Sequence, residues 1–128
     1  MTRHVIQTDR APQAIGAYSQ GVRAGNTLYV SGQIPLDPDT QALVEEDMPG
    51  QIRRVFANIA AVAEAGGATL ADVIKLHIYL VDMGDFGAVN EVMAETFAEP
   101  FPARAAVGVA SLPKGARVEA DAILVVAD

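Results

Sequence analysis

The side chains in this sequence best suited to chemistry on a small molecule are few and widely spaced. Arg104 stands in EPFPARAAVGVA (99–110), at the head of a run that is otherwise small and apolar and about to enter a core. A guanidinium there must be answered, because an unpaired charge taken out of water is costly. Two answers are open. One is a structural ion pair with Glu119 or Asp121, in the strand that follows. The other is a ligand carboxylate, which the planar fork of arginine fits well. With the LPKG turn centred near Pro113, the spacing predicts a hairpin in which residue 107 sits opposite residue 119. Arg104 is then about 10 Å from Glu119 along the strand. That is long for a direct pair, so the two read as walls of one pocket. Glu119 itself either faces solvent or holds and orients a water.

Asn90 interrupts an apolar helical stripe made by Phe86, Met93 and Phe97. It is either a core amide satisfied by backbone or an amide at the edge of a pocket. Tyr18 leads into a strand, and tyrosines there are often simply rim groups. Ser31-Gly32 follows a strand end, where a hydroxyl and a closely approachable backbone amide suit a ligand. His4 and His77, the two histidines, are far apart and lack metal-ligand spacing, so no metal site is expected. The glycine patterns of dinucleotide and P-loop sites are absent. So is the Gly-x-Ser-x-Gly elbow, and no histidine lies near Ser31 to serve as its base.

The elements that position these residues follow from periodicity. Arg3 to Thr8 reads as an edge strand, and a second short strand ends near Arg23. Gly25-Asn26 marks a tight turn, and TLYVS (27–31) is the return strand. Gly32 to Pro49 reads as a loop. Gln51 to Ala65 is the clearest helix, with Ile52, Val55, Phe56, Ile59, Val62 and Ala63 on one face and Asn58 largely off it. Gly66-Gly67 stops it, and Thr69 to Asp72 reads as a capped turn. Val73 to Val81 alternates, placing Ile74, Leu76, Ile78 and Leu80 on one face and Lys75, His77 and Tyr79 on the other. A helix from about Phe86 to Ala98, a strand over Ala103 to Ala110 and a last strand over Arg117 to Val126 complete the order β-β-β-α-β-α-β-β. That order predicts an α+β domain, a mixed sheet with two helices on one face. The last strand is apolar on both faces, with Ile123 and Val125 beside Glu119 and Asp121. Two helices cover one sheet face, so an oligomer packing sheets together is expected to cover the other.

The chain has 128 residues, which suits a single domain over 1–128. Its formal charge is −7, with no cluster of Lys or Arg. That field opposes nucleic acid as a partner. There is no cysteine, which fits a reducing compartment. MTRHVIQTD lacks the apolar core of a secretion signal, and no apolar run is long enough to span a bilayer. The expected setting is cytoplasmic, with no membrane partner.

AIGAYSQG (14–21), VSGQIPLDPDT (30–40), VNE (89–91) and FPARAAVGVASLPKGARVEADAI (101–123) together resemble the Rid (YjgF-type) family of reactive intermediate deaminases. The resemblance runs along essentially the whole chain in the same order. It implies a chorismate-mutase-like fold and a homotrimer whose sheets form a central barrel, with ligand pockets between subunits. It implies that Arg104 clamps a substrate carboxylate and that Glu119 positions the hydrolytic water. Tyr18, Ser31, Gly32 and Asn90 would line the pocket. Ala106 stands where many members have cysteine, a position expected to contribute mainly backbone. Ala17 replaces a common proline, and the short AEP before FPAR bears on the pocket mouth.

The activity implied is hydrolysis of 2-imino acids, such as 2-iminobutanoate or 2-iminopropanoate, to 2-oxo acids and ammonia. The imines would come from pyridoxal-phosphate-dependent dehydratases. No cofactor is expected, since an imine is already electrophilic. Two other readings stand beside it. One is a protein that binds 2-oxo acids or other small carboxylates without turnover. The other is an RNA-cleaving translation inhibitor or chaperone-like protein, roles attributed to some relatives, and the acidic charge opposes RNA.

Overall fold

The computed structural model describes residues 2–127. Six strands, β1 (Arg3–Ile6), β2 (Gly21–Ala24), β3 (Thr27–Gln33), β4 (Val73–Leu80), β5 (Ala103–Gly108) and β6 (Val118–Val125), form one sheet. Two helices, α1 (Met48–Ala65) and α2 (Phe86–Thr96), pack on one face of it. The order across the sheet is β1-β2-β3-β6-β4-β5. All neighbours are antiparallel except β4 and β5. This is the α+β architecture and element order that periodicity predicts.

The expected hairpin between the last two strands does not form. β4, α2 and β5 make a parallel crossover unit, and β6 then inserts between β3 and β4. A parallel pair needs a crossover, here a helix, and this one places β5 at the outer edge. β6 pairs on both sides and becomes a central strand, its Val118, Ala120, Ala122 and Leu124 facing the helices. Val107 and Glu119 are still level with each other, but Tyr79 of β4 stands between them.

Local details also differ, beyond strand and helix ends that fall one or two residues short of expectation. α1 begins at Met48, three residues before Gln51. Asp47 caps it, accepting from Gly50 N at 2.9 Å, and Pro49 occupies the first turn. Proline costs nothing there, where its missing N–H has no helical partner. β3 runs on through Gly32 to Gln33, across a register shift between Val30 and Gln33. A second register shift, between Val73 and Lys75, turns Ile74 out of the core. Ile74 is 49% exposed, and Val73 is buried in its place. Such bulges break the simple two-residue alternation.

The core lies between the sheet and the helices. Leu28, Leu76, Ile78, Leu80 and Leu124 meet Ile52, Val55, Phe56, Ile59 and Val62 of α1 and Val89 and Val92 of α2. Asn58 is fully buried among them, contrary to its place on the helical pattern. Its amide donates to the carbonyls of Ile34 at 3.4 Å and Leu36 at 3.0 Å, and its oxygen accepts from Arg54. It therefore ties the loop after β3 to α1.

Candidate active site

Arg104 lies on the helix side of the sheet, level with buried Leu76 of β4. Its Nη1 donates to Asn90 Oδ1 at 2.6 Å and lies 3.5 Å from the Met93 sulfur. The guanidinium carbon sits 4.8 Å from the centroid of the Phe86 ring. All three supports come from α2, and none carries a charge. Among the described residues no carboxylate forms an ion pair with Arg104. The ion pair considered from sequence is thus not formed, and the cation is held in place by neutral groups. It opens into a cleft of about 490 Å³ lined by Asn90, Met93, Ala94, Phe101 and Pro102. A guanidinium fixed on one edge and open on the other has the geometry to receive a carboxylate. Asn90 is exposed and bonds a side chain, so it is a pocket-edge amide rather than a core one.

Glu119 lies on the other sheet face. It is level with Tyr79, and strand alternation puts it opposite in sense to buried Val118 and Ala120. From Arg104 it is three residues along the strands and two strands across, about 10 Å in each direction. The two are therefore not walls of one pocket within a single chain, as the hairpin reading had it. Glu119 shares a second cleft, of about 600 Å³, with Tyr18, Ser31, Gly32, Gln41 and Lys114. Gly32 is what admits it. A Cβ built on Gly32 would fall on the Glu119 carboxylate. Any side chain at 32 would evict that carboxylate from its seat over β3. Burial, and then the charge of Asp121, push the Glu119 carboxyl up from its ordinary range.

The cleft walls come from loops that the fold ties down. Ser31 Oγ donates to Ser19 O at 2.5 Å, so its proton is spent on the loop that bears Tyr18. Its lone pairs remain for a ligand. Tyr18 is 52% exposed, its ring at the cleft mouth. Buried Gln20 gathers the preceding turn, donating to the carbonyls of Thr8 and Pro12 and accepting from Thr8 N. Among the described residues, Gln41 and Lys114 are the non-glycine residues with positive φ, and they meet here. Lys114 Nζ donates to Gln41 O at 3.3 Å.

The structure thus brings Arg104 to Asn90 in one cleft and Tyr18, Ser31 and Gly32 to Glu119 in another. Ala106 follows Arg104 on the same side of β5, level with Ile78, and packs on the core without lining either cleft. Sequence reasoning missed the roles of Phe86, Gln20, Asn58 and Gln41. Phe86 left a signal, its place one turn before Asn90 on the same stripe. The glutamines and Asn58 left none, because a buried amide reads like a surface one until its partners are known. Among the described residues no cluster of three or more His, Asp or Glu has metal-binding geometry, and no helix is long and apolar enough to cross a membrane.

Comparison with known proteins adds an independent line. Residues 8–126 match the family model described as endoribonuclease L-PSP. A curated relative, the 2-iminobutanoate/2-iminopropanoate deaminase of Dermatophagoides farinae, is 48% identical, covering 97% of this chain and 97% of its own. The crystal structure of RidA from an Antarctic Psychrobacter species superposes with a TM-score of 0.93 at 50% identity, over 96% of this chain and 99% of that one. The structure of E. coli TdcF with bound serine gives a TM-score of 0.89 at 38% identity, over 97% and 99% of the two chains.

Proposed function

This chain belongs to the Rid (YjgF-type) family, the family of the endoribonuclease L-PSP model, and from that membership and its two clefts we propose that it hydrolyses 2-imino acids. The observation that carries the reading is Arg104, a cation oriented by Asn90 and Phe86 and matched by no carboxylate of its own among the described residues. Arg104 takes the substrate carboxylate. Glu119 takes a proton from water as the water oxygen bonds to C2 of the imine, and passes it to the nitrogen, which receives the C=N π pair, giving a carbinolamine. Glu119 then takes the hydroxyl proton and delivers it to the nitrogen as the C=O bond forms and the C–N bond breaks, leaving a 2-oxo acid and ammonia. The carbon is electrophilic without help, so the protein need supply only proximity, orientation and proton transfer. The name of the Dermatophagoides farinae relative supports 2-iminobutanoate and 2-iminopropanoate as substrates; the source we propose for them is enamines released by pyridoxal-phosphate-dependent dehydratases.

One chain holds the two halves on opposite sheet faces, so the reading requires a second copy. We place Arg104 of one copy against the Glu119 cleft of another, in a homotrimer whose helix-free faces line a barrel. The bound serine of TdcF supports a ligand of amino-acid size on this fold. A ribonuclease, which the family model's description suggests, fits less well. Sixteen acidic residues face nine basic ones. Of the basic ones, Arg10, Arg53 and Arg117 are paired with Glu64, Glu95 and Asp85.

The test is a coupled assay in which a threonine dehydratase releases 2-iminobutanoate into a semicarbazide trap. Wild type should suppress semicarbazone formation. Arg104→Ala should lose about two orders of magnitude of that effect while its melting point stays close to that of wild type. If wild type gives no suppression, the reading gives way to binding of 2-oxo acids without turnover.

A further inference from the structure

Beside Glu119, on the helix-free face, three polar side chains form one cluster. His77 Nδ1 lies 2.6 Å from Asp121 Oδ1, and the Tyr79 hydroxyl donates to Asp121 Oδ2 at 2.9 Å. All three are half-buried and none lines either cleft. The register places Tyr79 level with Glu119 and His77 level with Asp121, so the four make a two-by-two block on β4 and β6. Directly opposed residues in such a block have Cβ atoms about 5 Å apart, and next-but-one residues on a strand about 7 Å. Two carboxylates are therefore held close together on a partly desolvated surface. Both oxygens of Asp121 are occupied. Glu119 makes no hydrogen bond within the described residues.

We propose that Asp121, with His77 and Tyr79 bound to it, is a positioning residue that governs whether Glu119 carries a proton during turnover. The kinetic side of this rests on the deaminase reading above. Within one chain the other groups facing Glu119 are few, and in the assembly proposed above Arg104 of a neighbouring copy joins them. The cleft loops bring Tyr18 and Lys114, β3 brings uncharged Ser31 and Gly32, and β5 brings uncharged Ala105 and Val107 on this face. Lys75 lies further along β4 on the same face. Both helices are on the other side. After burial, the charge of Asp121 raises the proton affinity of Glu119. A carboxylate so placed takes a proton from water more readily and, once protonated, serves as the acid for the departing nitrogen. Tyr79 stays a donor, because burial and the hydrogen bond to Asp121 both push its hydroxyl up. The His77 ring and the Tyr79 hydroxyl hold the two oxygens of Asp121 and so fix where that carboxylate stands relative to Glu119.

The experiment reads Glu119 directly, by carbon-13 NMR titration of its carboxyl, and in parallel the acid limb of the rate profile. Asp121→Asn keeps the shape and removes the charge. Asp121→Ser removes the same charge with a smaller side chain. Both variants should move the Glu119 midpoint to lower pH. The acid limb should follow both, with kcat about three- to tenfold lower in Asp121→Asn. An unmoved Glu119 midpoint in either variant, or movement of either to higher pH, overturns the proposal. If Asp121→Asn fails to fold, Asp121→Ser decides alone. Wild type without imine hydrolysis would sink the deaminase reading, and the NMR titration would still decide this one.

Discussion

Arg104 and Glu119 carry opposite charges and sit in opposite kinds of environment. The arginine is exposed and braced by neutral groups, so its removal leaves no buried group unsatisfied. Arg104→Ala should therefore act on rate and leave stability within about 1 kcal/mol. Glu119 is the reverse. Burial raises its proton affinity in the folded chain above that of the unfolded one. The folded state then holds the proton more tightly, so stability is greatest below the unfolded value and falls as pH rises through the folded one. Glu119→Gln, which cannot ionise, should melt higher than wild type at pH 7. That advantage should vanish near pH 3, where both states hold the proton. A variant that melts lower at pH 7 would mean that Glu119 is paired in the assembled protein. On the proposed reading, the same carboxylate costs stability and supplies the base, as sites of chemistry often do.

At the scale of elements, the site depends on two irregular strands and one crossover. β3 carries Gly32 at its bulge, and the Glu119 carboxylate occupies the space a Cβ would take. Gly32→Ala should keep the fold and lose about a hundredfold in imine hydrolysis by displacing that carboxylate. Retained activity, measured with the same dehydratase couple, would place the working position of Glu119 elsewhere. Element order and the apolar faces of α1, β4 and β6 were legible in sequence because periodicity reports burial directly. The strand neighbours of β5 and β6 were not. A hairpin and a split pair joined by LPKG show the same alternation, and the choice rests on β6 finding two partners at once. Ile74 misled because a bulge leaves no compositional mark. Asn58 misled because its partners, the carbonyls of Ile34 and Leu36, lie in a loop with no periodicity. The candidate site residues stood out in sequence by type, while their division between two clefts on opposite faces became visible only with the strand order.

For the whole molecule, the helix-free face decides what one chain lacks. Val5, Val22, Tyr29 and Ile123 line up across it by register, Val125 and Val107 lie on the same face further along their strands, and Tyr29 is 52% exposed. An apolar face of that extent calls for cover. The same packing would carry the Arg104 cleft of one copy towards the Glu119 cleft of the next. The central claim is that each working site is built from two chains, and complementation tests it most directly. Arg104→Ala and Glu119→Gln are each expected to be inactive alone. Unfolded together in equal amounts and refolded, they should assort at random. Roughly one site in four then draws its arginine and its glutamate from intact copies. The account predicts recovery of about a quarter of wild-type imine hydrolysis. A refolded mixture that assembles normally and stays as inactive as its parents would contradict it, and would return both residues to a site within one chain.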